Sequence, residues 1–243
     1  MTVAYVAGAT GYTGREVVRL LRSRKIDTIA HVRPDSGRLE QWRERFERLG
    51  VRVDTTPWEE GAMAATLAAL QPDLVFGLLG TTQSRARREA KAGVSREQNS
   101  YEQVDYGMTM MLVRGLDALP GSRRFVYLSA AGVGPKGNAY VAARYRVETE
   151  LHQTGLEWVI ARPSWITGPD RDEVRPAERI GASLTDAALG LAGLLGARTL
   201  RDRYRSTTNT ALAAALVHHG LERSSDHRIL ESEDLRGYGP TGA

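Results

Sequence analysis

Short runs of apolar and β-branched residues alternate along this chain with longer stretches whose apolar positions recur at helical spacing. In the first such stretch, Val17, Val18, Leu20 and Leu21 share one face and arginines occupy the other. The runs that predict strands are Thr2–Ala7, Thr28–Val32, Val51–Asp54, Leu74–Leu79, Arg124–Ser129, Trp158–Ala161 and Arg228–Leu230. The stretches that predict helices are Thr13–Ser23, Leu39–Leu49, Gly61–Leu70, Tyr101–Ala118, Tyr140–Thr154 and Thr208–Glu222.

This alternation of strands and helices predicts the fold class. Near-continuous apolar strands joined by helices are typical of a parallel sheet covered on both faces. Because such crossovers are right-handed, we expect a doubly wound parallel sheet in three α/β/α layers. The chain 1–243 is expected to be a single domain, in which about 163–205 contributes a small substrate-side region. The ligand site is then expected at the carboxyl ends of the strands.

Composition and charge narrow the possible functions. The chain has 243 residues, 42% of them hydrophobic, which excludes a disordered chain. It has no Cys, which excludes disulfides, thiolate metal sites and a cysteine nucleophile, and its five histidines lack metal-ligand spacing, so we expect no metal. The net charge is +4, with arginines spread among carboxylates, so we expect no nucleic-acid partner. Without a membrane-length apolar run or a signal-peptide pattern, we expect a cytoplasmic protein with no membrane contact.

A glycine-rich loop joins the first predicted strand to the first predicted helix. Gly8 permits the tight turn, Gly11 lets the backbone approach a pyrophosphate, and Gly14 lets the helix pack closely on the strand. The helix N-terminus then offers unpaired N–H groups to an anion. The string predicts a dinucleotide site in this strand-to-helix context, and a plain tight turn is the alternative. Three further loop residues are expected to contact the same cofactor: Thr10, Tyr12 and Thr13.

Two residues at strand ends bear on the adenosine half of such a cofactor. Arg33 ends the second predicted strand, where a fold of this kind meets the adenosine ribose. A cation there favours a 2′-phosphate, which predicts NADP(H) in preference to NAD(H); Arg38 is a second candidate, and a merely solvated arginine is the alternative. Asp54 ends the third strand and is expected either to accept a hydrogen bond from the adenine amine or to cap an ordinary turn.

Several short motifs resemble one enzyme family. They are the glycine loop, Leu78-Leu79-Gly80-Thr81-Thr82, Val104-Asp105-Tyr106, Leu128-Ser129-Ala130 and Arg162-Pro163. Together they resemble the atypical short-chain dehydrogenase/reductase group, nearest the subgroup of the HIV Tat-interacting protein and the nitrogen regulators. The resemblance implies a Rossmann fold that binds NAD(P)H. It also implies that Leu79, Gly80, Thr81 and Pro163 contact the cofactor.

The resemblance also implies catalytic residues. In short-chain reductases a Ser at the end of the fifth strand holds the substrate oxygen, which here is Ser129. A Tyr one helical turn before a Lys moves the proton that accompanies hydride transfer, and both contact the cofactor. Here Tyr140 precedes Arg144, so an arginine stands where the family has lysine. Arg144 keeps a cation that stabilises a phenolate, but its planar guanidinium places its N–H donors differently from the ammonium of a lysine. Structural roles are the alternatives: aromatic packing for Tyr140 and turn capping for Ser129.

Two functions follow from these residues. The first is an NADP(H)-dependent reductase of a small carbonyl-like substrate, with Tyr140 as proton donor, Ser129 as oxyanion partner and Arg144 as the cation. The second is a non-catalytic NADP(H)-binding regulator that acts on a protein partner through the long Arg-rich segment Gly80–Asn99. The sequence leaves open the substrate and whether the chain is a monomer or a homodimer.

Overall fold

The computed structural model describes residues 2–81, 100–164, 166–167 and 207–238. Most of the Arg-rich segment, residues 82–99, lies outside these ranges. Most of the expected substrate-side region, residues 168–206, also lies outside them, so the single-domain assignment stays a prediction.

The described strands form one large parallel sheet and one small strand pair. The large sheet contains seven strands in the order β3-β2-β1-β4-β5-β6-β9. The small pair joins β7 to β8, again in parallel. The strand bounds are β1 (Val3–Ala7), β2 (Asp27–His31), β3 (Arg52–Asp54), β4 (Leu74–Gly77), β5 (Arg124–Leu128), β6 (Glu157–Arg162), β7 (Ile166–Thr167), β8 (Thr207–Thr208) and β9 (Arg228–Glu231).

Helices cover both faces of the large sheet. Their bounds are α1 (Tyr12–Ser23), α2 (Leu39–Arg48), α3 (Glu60–Leu70), α4 (Thr109–Asp117), α5 (Ala139–Leu151) and α6 (Asn209–Leu221). On one face α1, α2 and α6 bury residues such as Leu21, Phe46 and Leu216. On the other face α3, α4 and α5 bury residues such as Leu67 and Val147. The predicted three-layer, doubly wound parallel fold is therefore confirmed.

The strand order fixes where a ligand would lie. From β1 the chain proceeds outward through β2 and β3, then returns to the other side of β1 and continues through β4, β5 and β6. The connections after β1 and β4 therefore diverge and leave a crevice at the carboxyl ends of these strands. The glycine loop follows β1 and lies at this crevice.

One predicted helix differs in type from the observed structure. The stretch Tyr101–Ala118 begins as a π-helix over Tyr101–Met108 and becomes the α-helix α4 only at Thr109. π-Helical turns are rare and often occur at functional sites. Here the wider turns carry two residues that contact the predicted catalytic pair, as described below. The predicted helix is therefore α-helical only from Thr109 onward.

Candidate cofactor and active site

The glycine loop is shaped by backbone contacts that leave no room for side chains. Gly8 has a φ of +80°, and a Cβ there would lie 2.5 Å from the carbonyl oxygen of Leu78. A Cβ on Gly14 would lie 2.1 Å from the carbonyl oxygen of Gly8. The Gly11 amide donates to that same Gly8 oxygen at 2.9 Å and closes the turn. Two of the three glycines are thus required by close backbone approach.

The glycine loop places the N-terminus of α1 at the crevice. The residue that caps α1 is Gly11, which has no side chain to occupy the first amides, and the first turn carries no carboxylate. These amides and the positive end of the helix dipole suit an anion. Thr13 is buried, whereas Thr10 and Tyr12 are partly exposed. The backbone of the loop therefore suits a pyrophosphate, and the contacts of its residues with the cofactor stay a prediction.

Three arginines lie after β2 and at the starts of α1 and α2. Arg33 lies two residues beyond the end of β2, and its Nε atom is 3.6 Å from an Asp35 carboxylate oxygen. The guanidinium carbons of Arg38 and Arg15 lie 5.5 and 5.9 Å from the ring centre of Trp42. Arg15 was not predicted to be a site residue. The signal that could have identified it is its position directly after Gly14, as the first cation of the helix. The 2′-phosphate contact itself stays a prediction.

Asp54 closes the turn after β3. The Tyr5 hydroxyl donates to one of its carboxylate oxygens at 2.6 Å. The backbone amide and the hydroxyl of Thr56 donate to the other, at 3.2 and 2.7 Å. Burial, followed by the charge of Asp54, raises the pKa of Tyr5 well above its ordinary value, so this phenol stays protonated and donates. Asp54 thus has the turn-capping role that the sequence left open, and its contact with adenine stays a prediction.

The predicted catalytic pair lies at the start of α5. Asn138 caps this helix by accepting from the Val141 amide at 3.1 Å. Tyr140 follows in the first turn and Arg144 one turn later, so they share a face. The guanidinium carbon of Arg144 lies 4.7 Å from the centre of the Tyr140 ring. The Tyr101 ring packs edge-on against Tyr140 with a centre-to-centre distance of 5.3 Å.

Arg144 is buried and has a carboxylate partner that the sequence analysis missed. Its Nη2 atom donates to Asp105 at 2.7 Å and lies 3.4 Å from the carbonyl oxygen of Leu79. Its Nη1 atom donates to the carbonyl oxygen of Leu128. The other Asp105 oxygen accepts from the Thr81 amide at 3.0 Å. The pair therefore joins the chain after β4 to the end of β5.

The same pair explains the glycine at position 80 and sets the local charge. A Cβ on Gly80 would lie 3.0 Å from Nη2 of Arg144. Burial lowers the pKa of Arg144, but Tyr127, Tyr140 and Asp105 together raise it above its ordinary value. The guanidinium is therefore charged at any working pH, and Asp105 compensates that charge. The contacts of Arg144 with the cofactor ribose stay a prediction.

Replacing Asp105 with Asn is expected to destabilise the protein strongly. The substitution leaves the buried Arg144 charge without its counter-ion, which costs about 3–5 kcal/mol in the free energy of unfolding. Urea unfolding measures the change. Glu102→Gln, in the same π-helical segment, is the control because it breaks the exposed pair with Arg146 and is expected to cost less than about 1 kcal/mol. Equal losses in both variants would contradict a structural role for the Asp105–Arg144 pair.

Ser129 is the third predicted catalytic residue, and it also has a buried partner. Its hydroxyl donates to Glu148 at 2.5 Å. Arg162 donates to both oxygens of Glu148, at 3.1 and 2.5 Å. Pro163 is buried after β6, and its carbonyl oxygen accepts from the Ala131 amide at 2.9 Å, which holds the chain after β5 against the chain after β6.

The arrangement thus combines a phosphate-binding helix terminus with a tyrosine–arginine pair at one edge of a parallel sheet. A family model described as NAD(P)H-binding matches residues 8–187 of the chain. The chain belongs to this NAD(P)H-binding family. Membership agrees with the glycine-loop geometry and with the resemblance to the atypical short-chain dehydrogenases/reductases. It establishes a nicotinamide nucleotide as the cofactor class, without deciding between NADP(H) and NAD(H).

Solved structures with a similar fold are nucleotide-binding enzymes of low sequence identity. A UDP-glucose 4-epimerase of Thermotoga maritima, solved with UDP-glucose, is 16% identical and has a TM-score of 0.62, covering 98% of this chain and 83% of its own. A UDP-glucose 4-epimerase of Thermus thermophilus, in complex with NAD, is 14% identical with a TM-score of 0.62, and the match covers 98% of this chain and 81% of that one. The enzyme WbmH of Bordetella bronchiseptica, in complex with NAD+, is 16% identical with a TM-score of 0.58, and the match covers 90% of this chain and 71% of that one. These likenesses confirm the Rossmann fold.

Two further findings assign no additional property to the chain. No curated protein sequence matches the chain. In the ranges that the structure describes, every helix is too short or too polar to cross a bilayer.

Proposed function

We propose that this protein is an NADP(H)-dependent oxidoreductase that reduces a small carbonyl-like substrate by hydride transfer. The observation that carries the proposal is the stacking of Arg144 on Tyr140 at the sheet edge that also holds the glycine loop. When bound, the dinucleotide supplies the hydride. The amides of the glycine loop would hold its pyrophosphate. Leu79, Gly80, Thr81 and Pro163 would line the nicotinamide half.

Tyr140 has the role of proton donor in this proposal. Its hydroxyl gives a proton to the substrate oxygen as the carbonyl carbon accepts the hydride, so charge and atoms balance. The ring is held between Tyr101 and Arg144, which limits its rotation. Arg144 stabilises the phenolate left behind, and Asp105 reduces this effect because it compensates the guanidinium charge.

The activity is tested by following NADPH oxidation against a panel of aldehydes, ketones and quinones. We expect saturable, substrate-dependent oxidation of NADPH with at least one member of the panel. NADPH binding without any turnover across the panel would contradict it.

Arg33 is proposed to select NADP(H) by binding the adenosine 2′-phosphate. The position of Arg33 just after β2, with Arg38 and Arg15 both near the Trp42 ring, supports the proposal. Arg33→Glu is expected to weaken NADPH binding about ten- to a hundredfold, since a hydrogen bond to a charged group contributes about 1.5–3 kcal/mol. NADH affinity is expected to hold or rise.

Fluorescence titration with both nucleotides measures these affinities. Arg43→Glu is the matched control, because it makes the same charge change on the outer part of α2. If Arg33→Glu leaves both NADPH and NADH affinities unchanged, Arg33 does not bind the phosphate.

One observation favours a second function, a non-catalytic NADP(H)-binding regulator. The cation beside Tyr140 is compensated by Asp105, which weakens the field that a proton-donating tyrosine uses. The partner surface proposed for it, 80–99, lies largely outside the described residues. This function predicts NADPH binding without turnover, and loss of a protein partner when residues 82–99 are shortened. Hydride transfer to a substrate would contradict it.

A further inference from the structure

Ser129 and Glu148 form a buried hydrogen-bonded pair at the carboxyl end of β5. Ser129 directly follows β5, and its amide donates to the carbonyl oxygen of Ala161 at 2.8 Å, which fixes its backbone beside β6. The side chains are almost fully buried, with 3% of Ser129 and 2% of Glu148 exposed. The distance between the Ser129 hydroxyl and Glu148 is 2.5 Å. This geometry is typical of a hydrogen bond to an ionised group.

The direction of this hydrogen bond is fixed by the neighbouring guanidinium. Arg162 donates through Nε and Nη2 to the two oxygens of Glu148, and through Nη1 to Glu231 at 3.1 Å. Hydrogen bonding with Glu148 raises the pKa of Arg162, so this cation is permanent. A carboxylate that accepts from a guanidinium through both oxygens offers only acceptor atoms to other groups. The Ser129 hydroxyl must therefore be the donor.

Because its hydroxyl hydrogen is bonded to Glu148, Ser129 can only accept hydrogen bonds from a ligand. A serine has one hydroxyl hydrogen and two lone pairs, and the hydrogen is already given to Glu148. Any ligand group that reaches Ser129 therefore meets only lone pairs. A carbonyl oxygen, which needs a donor, gains nothing from this side chain. A hydroxyl or an N–H group gains a hydrogen bond.

We infer that Glu148 is a positioning residue that makes Ser129 a hydrogen-bond acceptor, so that the site selects a ligand bearing a hydroxyl or N–H group at this position. The inference rests on the proposed function and on the family resemblance, which implies that Ser129 lies beside the substrate oxygen. It reverses the role that the family resemblance implies, in which Ser129 acts as the oxyanion partner. Tyr140 is then the side chain that donates to the reacting oxygen, and Ser129 binds a hydroxyl, either the alcohol formed in the reaction or a second one on the substrate.

The hydrogen-bond direction is tested without cofactor or substrate. A buried, short hydrogen bond to a carboxylate is expected to give a slowly exchanging proton resonance downfield of the amide region in the proton NMR spectrum. Ser129→Ala is expected to remove this resonance, and Glu148→Gln to remove it or shift it upfield. Glu150→Gln is the matched control, because it makes the same change two residues along α5, where Glu150 accepts from Tyr106. Lack of a resonance that Ser129→Ala removes would overturn the inference.

The selectivity is tested with an alcohol and the corresponding ketone, each added together with the nucleotide form with which it cannot react. Cyclohexanol is titrated into the protein–NADPH complex and cyclohexanone into the protein–NADP+ complex, with nucleotide fluorescence and calorimetry as readouts. Cyclohexanol is expected to bind about two- to tenfold more tightly, which corresponds to one neutral hydrogen bond. Ser129→Ala, which leaves the Glu148–Arg162 ion pair intact, is expected to abolish this preference. A preference that is unchanged in Ser129→Ala, or no binding of either probe, would overturn the selectivity.

The two proposals can fail separately. Absence of turnover together with a Ser129-dependent resonance and a preference for the alcohol would contradict the reductase function and leave the role of Glu148 standing. Turnover without the resonance or the preference would do the reverse. Because Glu148→Gln removes a counter-charge of the partly buried Arg162, Ser129→Ala keeps the test decisive if that variant does not fold.

Discussion

Replacing Tyr140 with phenylalanine is expected to lower kcat for NADPH-dependent carbonyl reduction about 10²- to 10⁴-fold, the usual contribution of a positioned proton donor. The substitution removes only the hydroxyl and keeps the ring between Tyr101 and Arg144. NADPH affinity and the free energy of unfolding are expected to change little. Steady-state kinetics on the best substrate of the panel, with a parallel NADPH titration, measures the effect.

Tyr145 provides the matched control for this experiment. It follows Arg144 directly and therefore lies on a different face of α5. Tyr145→Phe is expected to retain nearly full kcat. If Tyr140→Phe also retains full turnover, or if the two variants lose activity equally, Tyr140 is not the proton donor.

Gly14→Ala is expected to destabilise the protein and to weaken dinucleotide binding. The new Cβ would lie 2.1 Å from the Gly8 carbonyl oxygen and 2.9 Å from the Ala9 Cα atom. Both atoms belong to the backbone, so α1 must move away from the loop. Overpacking of this kind costs about 3 kcal/mol or more in the free energy of unfolding. Because the displaced loop holds the pyrophosphate, NADPH affinity is expected to fall about tenfold or more.

Gly61→Ala makes the same chemical change in another helix and serves as the control. Nothing lies within 4 Å of the Cβ position at Gly61, which is the second residue of α3. Alanine is the better helix former, so this variant is expected to gain up to about 0.5–1 kcal/mol and to bind NADPH normally. Urea unfolding and NADPH titration compare the two variants. Similar stabilities would show that the close approach at Gly14 does not shape the loop.

The sheet, the helices and the glycine loop were predictable from the sequence because local pattern determines them. Strands such as β4 and β5 are buried on both faces and are therefore continuous apolar runs. The loop glycines stand between a strand and a helix, and the contacts of Gly8 and Gly14 give the physical reason for both. Tyr140 and Arg144 were predicted to share a helix face, and their spacing of one turn places them in contact.

The buried partners of the catalytic candidates were not predictable, because they depend on contacts between distant segments. Asp105 meets Arg144 across 39 residues, and Glu148 meets Ser129 across 19. Nothing in the sequence marks either acid as buried, and only tertiary packing shows that Asp105 and Glu148 are. The direction of the Ser129 hydrogen bond depends on a third residue, Arg162, on yet another element. The hydrogen bonds and charges at the site therefore depend on residue pairs that the periodicity of the sequence does not predict.

The loop after β1 is proposed to hold the pyrophosphate of a nicotinamide dinucleotide. Isothermal calorimetry with NADPH and NADH, on the unmodified protein and on Gly14→Ala, measures this binding. We expect saturable heat with NADPH, weaker binding of NADH, and a clear loss of affinity in the variant. No heat with either nucleotide at millimolar concentration, or equal affinity in Gly14→Ala, would contradict it.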